Sequence, residues 1–183
     1  MPGRFFLLFL VFLMGFDQPK LVKTKVADGI TVSIPQGWRP MDGLDFTDRY
    51  PSVRAPLAAF TNEERLVDFS VNISATRWPD ADIKLAQQFF KSSVQNMFDR
   101  VEFLSEGIQE VNGKKFIYFE IGSRINGKPG PQEGLKDPVL RYTYLQYLVE
   151  PGRTLVFSFN CPKRDQETWR PIAKDMMRSV KVK

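Results

Sequence analysis

Two long strand-like runs, 101–111 and 114–125, are separated only by Asn112-Gly113. An Asn-Gly pair suits a two-residue type I′ turn, in which both central residues take positive φ. The pair commits the two runs to neighbouring antiparallel strands. In the second run Ile117, Phe119 and Ile121 share one face, while Phe116 and Tyr118 share the other. Aromatics on both faces predict a sheet that is covered on both sides over part of its area. A second hairpin follows, with runs 139–149 and 154–160 flanking the turn Glu150-Pro151-Gly152-Arg153.

Upstream, Thr31-Val32-Ser33-Ile34 alternates and stops at Pro35-Gln36-Gly37, a strand and then a turn. Segments 55–61 and 67–76 read as two strands joined by Asn62-Glu63-Glu64-Arg65. In the second of them Phe69, Val71 and Ile73 lie on one face and Ser70, Asn72 and Ser74 on the other. The spacing of Ile83, Ala86, Phe90, Val94 and Met97 predicts a helix over 81–100, with Leu85, Phe89 and Phe98 widening its apolar stripe. Asp80 stands at the expected cap and Asp82 in the first turn. A last helix is expected over 165–178, burying Trp169, Ile172, Ala173 and Met176, with Val180 just beyond. Pro171 fits only near a first turn, so regular helix is expected to begin close to it. The order of strands, helix, four strands and helix, with tight hairpins, predicts an α+β fold whose alternations from Thr31 to Asn160 form one antiparallel layer.

The N-terminus places Arg4 before the unbroken apolar run Phe5 to Met14, followed by Gly15 and polar chain. This is the layout of a secretory signal peptide, and the run is shorter than the roughly 20 residues a membrane-spanning helix needs. Residues 1–17 are read as the leader, cleaved or retained as a weak anchor, and 18–183 as one domain, exported to the periplasm or secreted.

Missing residue types narrow the chemistry. The chain has no histidine, which removes Ser-His-Asp and Cys-His catalysis and His-ligated zinc. Cys161 is the only cysteine, which excludes an intramolecular disulfide and a cysteine-built metal site. Following an apolar strand, it reads as a small buried hydrophobe. No cofactor, metal or catalytic residue is expected. Net charge is only +5 and spread along the chain, which does not suggest nucleic-acid binding. Asp42, Asp45, Asp48, Glu63, Glu64 and Asp68 are numerous enough for a paired-carboxylate hydrolase, provided that two converge.

The candidate partner surface is basic. Arg170, Lys174, Arg178 and Lys181 recur at spacings of four, four and three, opposite the apolar side of the last helix. Such a stripe suits an acidic protein or anionic headgroups, or it is simply a solvated face. The connection 126–138, which carries Lys128 and Lys136, is long enough to serve as a partner loop or to be idle.

Finally, Ile34-Pro35-Gln36-Gly37-Trp38 after a strand, the central amphipathic helix, the long strands and the closing Trp169…Met176-Met177-Arg178-Ser179-Val180-Lys181-Val182 resemble the PsbP-like superfamily over about residues 28–183. That superfamily includes the PsbP extrinsic protein of photosystem II, a nuclear Ran-binding import factor and DcrB-like bacterial envelope proteins. The resemblance implies a curved antiparallel β-sheet of about six or seven strands packed between α-helices, in proteins that mostly bind or assemble others. It carries over no catalytic residue, because the family has no common active site. With the leader, it points to an exported, non-catalytic envelope protein acting as a protein-binding or assembly factor. The alternative is a small-ligand or lipid carrier with a cavity between sheet and helix, lined by Phe89, Phe90, Phe116 and Tyr118.

Overall fold

The structure is a computed structural model that describes residues 19–43, 45–46, 55–76, 78, 82–126 and 137–183. The expectations for the leader, Asp48, Asp80, Lys128 and Lys136 lie outside the described residues.

Strands β3 (Arg39–Pro40), β4 (Ala58–Thr61), β5 (Asp68–Ile73), β6 (Arg100–Val111), β7 (Lys114–Ile125), β8 (Val139–Glu150) and β9 (Arg153–Pro162) form a seven-stranded sheet. Its order is β3-β4-β5-β9-β8-β7-β6, and every neighbouring pair is antiparallel. The Asn112-Gly113 turn has the expected positive φ values, 50° and 79°. Asn112 also ties the hairpin tip to the end of the chain, its Nδ2 donating to the Val180 carbonyl at 2.7 Å. Gly152, with φ 78°, completes the Pro151-Gly152 turn.

Alternation divides the sheet into two faces. Ile117, Phe119, Ile121, Leu145 and Tyr147 form one core with Ala86, Phe90 and Val94 of helix α1 (Ile83–Asn96). The opposite face packs Phe69, Val71, Phe116, Tyr142, Phe157 and Phe159 against Ile172, Ala173, Met176 and Met177 of helix α2 (Gln166–Arg178). The aromatic sheet predicted to be covered on both sides is therefore observed. Among the described residues, no helix is long and apolar enough to cross a membrane.

Four expectations are corrected. The alternations do not share one layer: β2 (Ile30–Pro35) leaves the main sheet and pairs with β1 (Leu21–Ala27) and β10 (Lys181–Val182) in a second, three-stranded sheet. Gly37, with φ 89°, reverses the chain between β2 and β3. Helix α1 is shorter than 81–100, because β6 already begins at Arg100 and the last turn serves the reversal; Met97, expected in the core, is 64% exposed. Asp82, expected inside the first turn, is itself the cap, accepting from the amides of Lys84 at 2.9 Å and Leu85 at 3.1 Å. Pro171 lies inside α2 in its second turn, after a 3-10 turn at Lys163–Asp165. The carbonyl it leaves unbonded, that of Glu167, belongs to an exposed residue and water can satisfy it.

Nothing lies within 4 Å of the position a Gly113 side chain would take, so a methyl group there meets only backbone strain. Gly113→Ala is expected to destabilise the fold by about 1–2 kcal/mol. Urea denaturation reads this directly, and an unchanged midpoint would contradict the turn assignment.

Candidate functional site

On β7, the residues facing α2 are Phe116, Tyr118, Glu120, Gly122 and Arg124 in order along the strand. Phe116 is core, but Glu120 is a carboxylate set among aromatic side chains and only 1% exposed. A buried charge is tolerable only when paired and hydrogen-bonded. Three groups supply this. Arg170 Nε lies 2.7 Å from Glu120 Oε2, Lys174 Nζ lies 3.0 Å from Oε1, and the Tyr142 hydroxyl donates to Oε2 at 3.1 Å. Arg170 and Lys174 are four residues apart on α2, so one face of the helix delivers both. The bond to Glu120 holds the Arg170 guanidinium more firmly charged. Burial, with the nearby carboxylate, pushes the Tyr142 hydroxyl far above its ordinary range and keeps it a donor.

A polar network continues from this cluster toward the sheet edge. Tyr118 stacks on Tyr144 with ring centroids 5.8 Å apart. Gln109 Nε2 donates to the Tyr144 hydroxyl and to Gln146 Oε1, both at 3.0 Å, and Gln146 Nε2 donates to the Met177 carbonyl at 3.3 Å. The Tyr118 ring lies over Gly107, where a Cβ would come within 3.2 Å of it. The edge strand, the sheet floor and α2 are thus joined by hydrogen bonds as well as by apolar packing.

The predicted basic stripe divides in two. Arg170 and Lys174 turn toward Glu120 with about a third of each side chain exposed, 33% and 34%. Arg178 points outward, 3.7 Å from Asp175, and Lys181 is exposed on β10. Glu120 balances one of the two inner cations, and Glu167 and Asp175 on the same helix offset part of the charge that remains. Glu120 was missed in the sequence because it sits inside a run read for its apolar residues. Its signal was positional: Phe116 and Tyr118 face inward, and a carboxylate two residues further on must face inward too.

Three open grooves border the described sheets. One of about 380 Å³ lies between Trp78, Ile83, Val149 and Pro151, with Lys114 and Glu150 at its rim. Another of about 340 Å³ lies beside Lys25, Gly29, Ile30 and Lys181. The third, about 200 Å³, is lined by Arg100, Glu102, Gly122, Arg124, Leu140 and Lys163 at the end of the α2 face.

The four aromatics expected to line one carrier cavity do not meet. Phe89 and Phe90 belong to α1, which packs on the odd-numbered side chains of β7, whereas Phe116 and Tyr118 face α2. The acidic residues are engaged elsewhere. Asp45 is fully buried, bonded to Arg39 at 2.8 Å and paired with Arg65, and Asp42 stands 3.6 Å from Arg39. Asp68 accepts from Asn160 Nδ2 at 2.9 Å, while Glu63 and Glu64 are exposed in a turn. Among the described residues, no three acidic or sulfur side chains are grouped to hold a metal ion. Cys161 is buried, and burial pushes its thiol up to about 12, which makes it unreactive near neutral pH.

No protein-family model and no curated protein matches the sequence. Solved structures do match the fold. Cyanobacterial PsbP (CyanoP) from Synechocystis sp. PCC 6803 is 14% identical with a TM-score of 0.59, covering 92% of this chain and 96% of that one. The Ran-binding protein Mog1p of Saccharomyces cerevisiae is 14% identical with a TM-score of 0.55, covering 89% and 96%. LpqN of Mycobacterium tuberculosis, involved in cell envelope biogenesis, is 15% identical with a TM-score of 0.56, covering 88% and 91%. The chain therefore has the Mog1/PsbP-like fold.

Two predictions follow from the charge clusters. Glu120→Gln keeps the shape but strands two cations over an apolar floor; allowing for their partial exposure, it is expected to cost about 1–3 kcal/mol in urea denaturation. No loss of stability would mean that the cluster does not anchor α2. The Arg39 guanidinium holds the Asp45 carboxyl at about 2, below the ordinary 3.8 and against the effect of burial. The resulting stabilisation is fully present above pH 4 and is lost as pH falls from about 4 toward 2. Acid titration of stability should be flatter over that window in Asp45→Asn than in the native chain.

Proposed function

We propose that this chain is an exported, non-catalytic envelope protein that binds an acidic partner protein through the basic side of α2. One observation carries the reading: Arg170 and Lys174 are held in place over a single buried carboxylate, next to the outward Arg178 and Lys181. Cations fixed in this way lose little side-chain entropy on binding, and their excess charge steers an acidic surface toward them. Lys181 makes no ion pair among the described residues and is available to a partner. Lys128 and Lys136 belong to the proposed surface on charge alone.

The remaining support is chemical and comparative. Without histidine and with its cysteine buried, the chain offers neither an imidazole base nor an exposed thiol. Its described buried carboxylates are committed to basic or amide partners. The leader of residues 1–17 supports export, and a fold relative is described as acting in envelope biogenesis. Another relative is described as Ran-binding, a precedent for the fold as a binding scaffold. Residues 18–183 would act as one unit.

The test is capture of partners from an envelope extract by the native chain and by Arg178→Glu/Lys181→Glu. Both residues are exposed, so the variant should keep the native near-ultraviolet circular dichroism. Acidic proteins retained by the native chain should be released by salt and lost from the variant. Identical partner sets from the two proteins would overturn the reading.

A further inference from the structure

Arg100 and Arg124 stand directly opposite each other on β6 and β7, on the face shared with Glu102 and Gly122. Like charges placed across a strand pair repel, and sheets ordinarily avoid them. Neither guanidinium has an ion pair among the described residues; Arg124 only donates from Nε to Asn126 Oδ1 at 2.8 Å. A third cation reaches the same place from above. Lys163, in the 3-10 turn before α2, sets its Nζ 2.8 Å from where a Gly122 Cβ would lie. Only glycine leaves that space, so the bare floor is what seats the amine. Lys163 also lacks an ion pair among the described residues. Glu102 is the one carboxylate at the groove, its Oε2 3.7 Å from the same missing Cβ, which leaves a net charge of two positive.

The groove these side chains enclose is about 200 Å³. That is below the roughly 300–1,000 Å³ of sites for drug-sized molecules, and it suits a compact anionic group. Two planar guanidinium forks and a point-charge ammonium match the oxygens of phosphate. We infer that the groove over Gly122 is a binding site for a phosphate group, free or carried on a lipid headgroup. Occupancy would offset the repulsion between Arg100 and Arg124 at this end of the sheet. The inference does not depend on the acidic-partner reading, which concerns Arg178 and Lys181.

The experiment titrates the full chain with inorganic phosphate at constant ionic strength, following the Gly122 and Arg124 amides by nuclear magnetic resonance. In parallel, co-sedimentation compares vesicles of phosphatidylcholine with and without phosphatidylglycerol. Saturable binding is expected in at least one arm, weakened about tenfold or more in Arg100→Gln/Arg124→Gln. Response to phosphate alone identifies a free phosphate ligand, and response to phosphatidylglycerol alone identifies a headgroup. Gly122→Ala, which displaces Lys163, should weaken the same response while both arginines remain. Without phosphate, Arg124→Gln should melt no lower than the native chain, since it relieves a like-charge pair. No binding in either arm, equal binding by the double variant, or a lower melting temperature for Arg124→Gln would each overturn the inference.

Discussion

The pairing of β5 with β9 is the constraint on which the rest of this molecule depends. It joins Asp68–Ile73 to Leu155–Asn160 in unbroken antiparallel register, across a separation of 92 residues at its Asp68–Asn160 bond. Without it, the seven-stranded sheet falls into an N-terminal set of short strands and a C-terminal meander, each with an open edge. With it, Phe69 and Val71 come to lie beside Phe159 and Phe157, and α2 finds a continuous apolar floor. Such non-local contacts repay their loop-closure entropy only late in folding, so a slow-folding chain is expected. The polar side chains of β5 and β9 fall on the opposite face, where Asn160 bonds Asp68, Ser158 and Thr143.

That division of faces also explains where charge accumulates. The α1 side of the meander is closed by aromatic packing, with Phe90 stacked on Tyr147 at 4.4 Å. The α2 side carries the same kind of core at its centre but ends in cations along β7. Glu120 sits at the boundary: one buried carboxylate holds two cations on the helix, and these keep part of their charge turned to solvent. A buried ion cluster of this sort contributes little net stability compared with apolar packing. Its effect here is on position. It fixes how α2 lies on the sheet, and with it the outward direction of Arg178 and the seat of Lys163 at the start of the helix.

Much of this was legible in the sequence, and the failures have physical causes. Asn112-Gly113 was readable because the turn demands two residues at positive φ. The two-sided sheet was readable because Phe116 to Ile121 places large apolar groups at both parities. β1 was not, because its alternation of Val22, Thr24 and Val26 with Lys23 and Lys25 is short and buries only Val26 on the sheet edge, and β10, with two residues, is too short for any pattern. The second sheet was hidden with them. The apolar stripe of α1 was overread at Leu85, Phe89 and Met97: periodicity counts side chains around a helix, but only the arc touching the sheet is buried. The basic stripe of α2 was visible as spacing, whereas its inward half was not, since the target carboxylate lies on another element 50 residues away from Arg170. The arginine pair at the sheet end depends on register between two strands, which composition does not reveal.

The most direct measurement of this account is the set of cross-strand α-proton contacts between 68–73 and 155–160, read by nuclear Overhauser effects on isotope-labelled protein. The described register places Ser70 opposite Ser158 and Asn72 opposite Val156, with contacts at every second directly opposed pair along the ladder. Contacts displaced by one residue would turn the apolar side chains of β5 to the wrong face. Contacts of parallel pairing, or none between these segments, would remove the floor beneath α2 and the charged surface built upon it.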